Sequence, residues 1–471
     1  MEVLKGLRPE RVFYFFEKIC AIPHGSGNTK QISDFCVEFA KQNGLTYYQD
    51  DLNNVIIKKP ASAGCENRPT VIIQGHLDMV CEKDADTQFD FLNDGLKLKV
   101  QGDMLSATGT TLGGDDGIAV AMGLALLEDK TLKHPKVEVL LTVDEETGLY
   151  GAEGLDASNL SGKMLINIDS ESEGILTVSC AGGARVDIAL ALEKIANESP
   201  AYTVEISGLL GGHSGAEIHK GRHNANKLMG AFLNTLVDFK LINISGGSKD
   251  NVIPSFCTAT IVSSDDLTAK AEDFVKQNTN VNDPDLKITV TSLKETTPFV
   301  YSAKSSKNAA EIICTLPNGI TAMSREIEGL VQTSLNLGVM GIDKDALLVS
   351  FAVRSSVGIE KEELVDKLFT IAKEFGASAN SHSHYPAWEY KKDSPLRAVM
   401  ENTYLEMYGT PIKVEAIHAG LECGLFCEKI EGLDAVSFGP NMYDIHSSKE
   451  RISISSVERC YNYLLRVLEN I

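Results

Sequence analysis

The chain has 471 residues, of which 43% are hydrophobic, and its formal net charge is −21. A chain of this length is expected to form two domains. The charge argues against nucleic acid and anionic membranes as partners, because both are themselves negative. It is compatible with cationic or zwitterionic substrates, with metal ions, and equally with an ordinary acidic protein of the cytoplasm.

Two further features narrow the class of protein. No run of 18 or more apolar residues occurs, and residues 1–8 are charged without an apolar core, so we expect neither a membrane span nor a secretory signal. The ten cysteines are scattered, and the closest pair, Cys423 and Cys427, has no second pair nearby. This spacing predicts reduced thiols and a cytoplasmic location rather than a zinc ribbon or a disulfide framework.

The first 180 residues alternate between short apolar strands and helices. Strands are predicted at 70–74, 137–143 and 164–168, and an apolar helix preceded by glycines and aspartates is predicted at 118–127. Continuous apolar strands separated by helices are typical of a sheet that is covered on both faces. This part of the chain therefore predicts an α/β domain.

The pattern changes after residue 183. Predicted strands now alternate polar and apolar residues, with a helix at 224–237 between them; these strands are 202–206, 259–262, 287–290 and 346–353. The α/β pattern then resumes at 414–417 and 435–438. It closes on a helix from about Ser456, for which Ser455 and Glu458 form a capping box.

We therefore predict one α/β domain with a mixed sheet flanked by helices, built from residues 1–185 and 386–471. An α+β domain covering 186–385 is inserted into it. The insertion explains how residues at both ends of the chain return to one place.

Acidic and histidine residues stand where the predicted strands and turns end. They are His76, Asp78, Asp115, Glu145, Glu146, Asp169 and His446. In open α/β sheets, sites form beyond the carboxyl ends of strands. Imidazole and carboxylate groups converging from different loops are ligands for divalent metals, and two ions about 3.5–4 Å apart need about this number of groups.

Two of these motifs have a further chemical logic. Residues two apart in an extended segment face the same side, so Asp78 is expected to accept a hydrogen bond from the far ring nitrogen of His76 and fix its tautomer. Glu145 and Glu146 repel each other unless one binds a metal and the other takes a proton from water. Each motif alone is more often a plain turn or acidic loop, but jointly they favour a metal site.

The motifs resemble those of the M20 family of dinuclear-zinc peptidases, along nearly the whole chain. The matching strings are Gly75-His-Leu-Asp78, Gly113-Gly-Asp-Asp-Gly117, Asp144-Glu-Glu-Thr-Gly148 and Gly211-Gly-His-Ser-Gly215. The strings at 417–424 and 219–226 are similar to one branch, the aminoacyl-histidine dipeptidases. Many relatives carry Asp-Asp-Lys where this chain has Asp115-Asp116-Gly117.

The resemblance implies a zinc-peptidase-like catalytic domain and a set of roles. Two divalent ions are expected, zinc first, with cobalt or manganese also suited to such ligands. The resemblance implies that His76 and Asp169 bind one ion, that Glu146 and His446 bind the other, and that Asp115 bridges both. It also implies that Glu145 is the general base and that Asp78 orients His76. The bond between Asp115 and Asp116 is expected to be cis.

The resemblance also makes the inserted domain a lid. His213 is then expected to reach the substrate carbonyl, from its own subunit or from a partner. Arg354 matches a substrate C-terminal carboxylate, since a guanidinium pairs with it bidentately. Asn251 is similar to a lid asparagine of relatives, and Glu422 is expected to face the substrate amine.

These expectations predict a metal-dependent dipeptidase that cleaves aminoacyl-histidine peptides, including β-alanyl-histidine. An activated water held between two metals attacks the peptide bond, with Glu145 as base. Small peptides are the expected substrates, and the family favours a homodimer. One alternative is an N-acyl amino acid deacylase, which needs no free amine, so that replacing Glu422 by alanine is harmless. Another is a non-catalytic metal-binding protein, against which the intact Glu145 argues.

Overall fold

The computed structural model describes residues 3–293 and 296–471, which divide into two compact units. The first unit contains the chain up to Ser179 together with Tyr390–Ala416 and Leu421–Ile471. The second contains Cys180–Glu389 and Ile417–Gly420. The first unit is thus assembled from separate stretches of chain.

The helices and strands follow in chain order. Up to residue 180 they are α1 (Glu10–Cys20), α2 (Lys30–Gln42), β1 (Thr46–Gln49), β2 (Val55–Lys59), β3 (Val71–His76), β4 (Leu98–Gln101), β5 (Met104–Ala107), α3 (Gly114–Glu128), β6 (Val137–Thr142), α4 (Tyr150–Gly154), β7 (Met164–Asn167) and β8 (Ile175–Cys180). From 181 to 389 they are β9 (Gly182–Ala191), β10 (Lys194–Ala196), β11 (Tyr202–Ser207), β12 (Gly212–His213), α5 (Ala225–Leu233), β13 (Phe239–Gly246), β14 (Val252–Ile253), β15 (Cys257–Ser263), α6 (Leu267–Asn278), β16 (Lys287–Ser292), β17 (Phe299–Tyr301), α7 (Ala303–Thr315), β18 (Gly319–Met323), β19 (Val331–Asp343), β20 (Ala346–Ser355), α8 (Gly358–Glu374) and β21 (Ser378–Tyr385). From 390 onward they are α9 (Pro395–Tyr408), β22 (Lys413–Ile417), α10 (Cys423–Lys429), β23 (Asp434–Ser437), β24 (Met442–Tyr443), β25 (Arg451–Ser453) and α11 (Ile454–Asn470).

The main sheet of the first unit has the strand order β1-β2-β6-β3-β7-β23-β8-β22. Its central pairs, β6 with β3, β3 with β7 and β7 with β23, are parallel, whereas β1–β2, β2–β6 and β23–β8 are antiparallel. Every residue of β3, β6 and β23 is buried, as expected when both faces of a sheet are covered. The predicted α/β fold with a mixed sheet is confirmed.

The parallel register brings the carboxyl ends of three strands to one edge of the sheet. His76, the last residue of β3, pairs with Thr142 at the end of β6, and Gln74 pairs with Asn167 at the end of β7. The residues that follow these strands therefore leave the sheet side by side.

A smaller sheet in the first unit contains a hairpin near the C-terminus. Its order is β24-β25-β5-β4, and residues 444–450 connect β24 to β25. The final helix begins directly after β25, and its cap differs from the prediction. The Ser453 hydroxyl, not that of Ser455, caps it by accepting from the Ser456 N–H at 3.2 Å. Ser455 instead donates its own N–H and hydroxyl to Asp103, at 2.9 Å each.

The second unit is built on an antiparallel sheet with the order β16-β11-β15-β13-β19-β20-β9-β21, and β18 also pairs with β19. Strands β9 and β11 alternate buried and more exposed residues, which fits a sheet with one packed face. Helix α8 packs on β9, β20 and β21. Helix α5 was predicted at 224–237 but runs over Ala225–Leu233, with Asn224 as its N-cap.

No helix among residues 3–293 and 296–471 combines the length and the apolar character needed to cross a bilayer. The ten cysteines all lie among the described residues, and none of them forms a disulfide there.

Candidate metal centre

The three strand ends of the first unit bring together most of the predicted ligands. His76 ends β3, Glu145 and Glu146 lie just beyond β6, and Asp169 lies just beyond β7. Gly75 makes this arrangement possible, because a Cβ there would lie 2.5 Å from Asp116 Oδ2. Only glycine lets the start of α3 approach the end of β3 this closely.

Asp115 lies between two imidazole rings. Its Oδ1 is 3.1 Å from His76 Nε2, and its Oδ2 is 3.2 Å from His446 Nε2. The residue precedes the regular part of α3, with φ −84° and ψ 103°, and its bond to Asp116 is cis, as the resemblance implies. The two oxygens of one carboxylate thus point to two separate histidines.

A second carboxylate accompanies each histidine. Asp169 Oδ1 lies 3.6 Å from His76 Nε2, and Glu146 Oε1 lies 3.0 Å from His446 Nε2. Three groups have donor atoms that lie within 4.8 Å of one another: Asp115 with Glu146 and His446, His76 with Asp116 and Asp169, and His76 with Glu145 and Glu146. The result is two neighbouring sets of imidazole and carboxylate donors that share Asp115.

The electrostatics of these groups fit a cation. Burial raises the pKa of Asp169 to about 7 and that of Glu145 well above its usual value. Hydrogen bonds to Asp115 and Glu146 raise the pKa of His446 to about 10. Burial opposes protonation of His76, yet its bonds to Asp115, Asp169 and Asp78 raise its pKa well above the ordinary value. Buried carboxylates need a compensating positive charge, and these donor types suit divalent metals.

Asp78 organises the loop that carries Glu145 and Glu146. Its Oδ1 accepts from the Glu145 N–H at 3.1 Å, and its Oδ2 accepts from the Ser26 hydroxyl at 2.7 Å and from the Glu146 N–H at 3.4 Å. The far nitrogen of His76, Nδ1, is 3.0 Å from the Asp78 main-chain oxygen and 3.5 Å from its carboxylate. The main-chain oxygen of Asp78 is therefore the nearer partner of Nδ1, and the carboxylate that we predicted as its partner lies 0.5 Å farther away.

Glu422 lies in the same unit and is completely buried. Its Oε2 accepts from Gln74 Nε2 at 2.5 Å and from the Thr142 hydroxyl at 2.9 Å, and Gln74 Oε1 in turn accepts from Asn167 Nδ2 at 2.6 Å. Burial raises the pKa of Glu422 to about 8. Its predicted contact with a substrate amine stays a prediction, and the structure adds a polar link across the ends of β3, β6 and β7.

The second unit holds His213, Asn251 and Arg354. His213 lies on β12, whose pairing with β14 places the Ser214 N–H 2.9 Å from the Asn251 carbonyl. His213 Nδ1 accepts from the Ala216 N–H at 3.0 Å. Burial, and after it the charge of Arg354, lowers the pKa of His213. The three predicted residues thus belong to one region of this unit.

Arg354 is 7% exposed and lies close enough to His418 to affect its pKa. Its Nη1 donates to the Tyr385 hydroxyl at 3.1 Å, and its buried Nε has no partner among the described residues. His418 Nε2 is 2.7 Å from the Ser334 hydroxyl, and burial with the charge of Arg354 lowers the His418 pKa to about 4. His418 is therefore neutral near pH 7.

Comparison with known proteins gives concordant results. The model of peptidase family M20/M25/M40 matches residues 72–470. The cytosol non-specific dipeptidase of Escherichia coli (strain K12) is 36% identical over 483 residues, covering 100% of this chain and 99% of that protein.

Solved structures agree with the sequence comparisons. The aminoacylhistidine dipeptidase from Vibrio alginolyticus has a TM-score of 0.94 at 35% identity, covering 99% of this chain and 98% of that chain. The aminopeptidase PepT from Bacillus cereus ATCC 10987, at 16% identity and a TM-score of 0.60, covers 98% of this chain and 99% of its own, and it shares the fold. The chain belongs to peptidase family M20/M25/M40.

Proposed function

We propose that the protein is a dipeptidase that works with two divalent metal ions. The observation that carries this proposal is the Asp115 carboxylate, which has one oxygen beside His76 and the other beside His446. A carboxylate in this position, with a further carboxylate on each side, is suited to hold two ions close together.

In the proposed site, His76 and Asp169 would hold one ion, Glu146 and His446 would hold the other, and Asp115 would be shared between them. The imidazole and carboxylate donors fit zinc, with cobalt and manganese as alternatives. Bound ions would polarise the peptide carbonyl and make water more acidic. Proton transfer and substrate binding are proposed to be carried out by the protein's side chains.

Glu145 is the proposed general base. Its main-chain N–H donates to the Asp78 carboxylate at 3.1 Å, and burial raises its pKa well above the ordinary value. A carboxylate positioned beside the attacking water can act as the base. Glu145 takes a proton from the attacking water and gives it to the nitrogen of the leaving amine. The peptide bond breaks, and two amino acids are released.

Residues of the second unit are proposed to bind the substrate. The buried Arg354 guanidinium has an unused Nε–H, which is suited to the C-terminal carboxylate of a dipeptide. Nδ1 of His213 accepts hydrogen bonds from the Gly215 and Ala216 N–H groups, so Nε2 carries the proton of the neutral ring. This Nε2–H is proposed to donate to the carbonyl oxygen of the substrate. Asn251 supports the His213 segment through its main chain. We propose that this unit acts as a lid, in a homodimer.

Aminoacyl-histidine dipeptides, including β-alanyl-histidine, are the proposed substrates, and the cytoplasm is the proposed location. The similarity to the Vibrio aminoacylhistidine dipeptidase supports the substrate. The name of the Escherichia coli relative, a cytosol non-specific dipeptidase, supports the location and favours a broader range of dipeptides.

The substrate class is tested by release of amino acids from three compounds. Metal-loaded protein is incubated with β-alanyl-histidine, alanyl-leucine and N-acetyl-histidine, and the Glu145→Gln variant is the control. Release from β-alanyl-histidine, with or without release from alanyl-leucine, supports a dipeptidase. Release from N-acetyl-histidine alone overturns it in favour of a deacylase, and no release by the metal-loaded protein from either dipeptide also contradicts it.

A further inference from the structure

Glu450 is a buried carboxylate that the proposed mechanism does not use. It is 3% exposed and lies at the end of the loop between β24 and β25. Its Oε2 accepts from the N–H groups of Leu112 at 2.7 Å and Gly113 at 3.2 Å, and its Oε1 accepts from those of Gly114 at 2.8 Å and Asp115 at 3.4 Å. One carboxylate thus binds four consecutive backbone amides.

These amides lie in the segment that leads into α3, before the residues after Asp116 that have helical φ and ψ. An anion at this end is also favoured by the helix dipole. Gly113 has φ 65°, a conformation that suits glycine and that lets successive amides turn toward one anion. The backbone leading into Asp115 is therefore shaped around the carboxylate of Glu450.

The other side of this contact is the loop that carries His446. The Ser447 hydroxyl donates to the Asp444 carbonyl at 2.6 Å, and the Glu450 N–H donates to the Ser447 carbonyl at 3.1 Å. These bonds wind residues 444–450 into a compact turn that carries both His446 and Glu450. Glu450 consequently ties the His446 loop to the Asp115 loop.

We infer that Glu450 is a positioning residue for the metal centre, and this inference rests on the proposed function. By holding the amides of Leu112–Asp115, Glu450 fixes the Asp115 carboxylate relative to His446 and so sets the spacing of the two donor sets. Glu450 contacts neither metal nor substrate in this role.

The variant Glu450→Gln tests the inference through metal binding rather than activity. Glutamine keeps the shape but turns one acceptor into an NH₂ donor that faces backbone N–H groups. The affinity of chelator-stripped protein for Zn²⁺ is measured by competition with a chromophoric chelator. We expect about 10- to 100-fold weaker binding of at least one ion, as for other residues that orient metal ligands.

Glu138→Gln is the matched control. Glu138 is also completely buried, and it accepts from the Ser161 and Gly162 N–H groups at 2.8 and 3.0 Å. It lies near the start of β6, whereas the predicted ligands follow the end of that strand. We expect Glu138→Gln to lower the melting temperature without changing the affinity for Zn²⁺.

A milder pair of variants keeps the test open if Glu450→Gln does not fold. A Cβ at Gly114 would lie 3.2 Å from Glu450 Oε1, so Gly114→Ala displaces the carboxylate slightly. Gly117 also lies in α3, and a Cβ there would lie 3.3 Å from Cε2 of Phe16 in α1. Gly117→Ala is therefore a control with a similarly close contact. We expect weaker Zn²⁺ binding for Gly114→Ala only.

Two results overturn the inference. One is unchanged Zn²⁺ affinity in folded Glu450→Gln or, if that variant does not fold, in Gly114→Ala. Another is an equal loss of affinity in Glu138→Gln or Gly117→Ala, because general destabilisation then explains it. If the wild-type protein binds two ions and the variants match it, only the inference fails, whereas a wild type that binds none overturns the proposed metal centre as well.

Discussion

The Asp115 carboxylate lies between the imidazole rings of His76 and His446. Each of its oxygens lies near a different imidazole. Burial raises the pKa of Asp115, but the hydrogen bonds to His446 and His76 outweigh burial and leave the pKa below the usual range. An ionised carboxylate at this point can bridge two cations. No other acidic residue of the described chain lies within hydrogen-bond distance of both rings.

The clearest prediction at this scale concerns Glu145. Glutamine has nearly the same shape but cannot accept a proton, so Glu145→Gln should lower kcat for a dipeptide about 10²- to 10⁴-fold. Metal content, measured by elemental analysis, should stay as in the wild type. Glu153→Gln, at an exposed site of α4, is the control and should leave kcat unchanged. Full activity of Glu145→Gln contradicts the role of general base.

A second prediction concerns Asp78, which holds the Glu145 and Glu146 amides as well as the Ser26 hydroxyl. Asp78→Ala removes all three contacts and should weaken Zn²⁺ binding about 10- to 100-fold. Ser26→Ala removes one of them and should have a smaller effect. The two affinities are compared by chelator competition, and equal affinity of Asp78→Ala and the wild type contradicts this account.

At the scale of elements, the site depends on where the strands end. The sequence was sufficient to place β3, β6 and β7, because continuous apolar runs followed by polar residues mark buried strands and their ends. It was insufficient for contacts between distant loops. Ser26 and Glu450 have no local pattern that distinguishes them, and the predicted Ser455 cap was wrong because Asp103, more than 350 positions away, binds that residue.

The polar link at the strand ends gives a pH-dependent prediction. The folded-state pKa of Glu422 is about 8, above its ordinary value of 4.5, so its contribution to stability is present at low pH and is lost as the pH rises toward about 8. Metal-free wild-type protein should therefore lose stability relative to Glu422→Gln between about pH 5 and pH 8. The measurement is the difference in melting temperature of the two proteins across this range. A constant difference contradicts the raised pKa.

At the scale of the whole molecule, the first unit collects its candidate ligands from both ends of the chain. His76 and His446 lie 370 positions apart in sequence, yet both approach Asp115. The alternation of strands and helices at both ends predicted an α/β domain with an insertion, and the family resemblance supplied the pairing of ligands. Residue patterns alone left that pairing open, because they do not show which loops meet.

Metal binding should also stabilise the molecule as a whole. Ligands that bind only the folded state add stability, about 2.7 kcal/mol when the free concentration is 100 times the dissociation constant. Chelator treatment should therefore lower the melting temperature, and Zn²⁺ should restore it. His446→Ala should reduce this gain, and an identical melting temperature with and without metal contradicts a metal centre in the folded unit.

A metal titration of chelator-stripped protein, with bound Zn²⁺ and histidine release from β-alanyl-histidine measured in the same samples, tests the two-metal dipeptidase. We expect two ions per chain at saturation and histidine release that depends on the bound metal. Histidine release that persists without metal, or the absence of bound Zn²⁺ at the highest metal concentration, would contradict a two-metal dipeptidase.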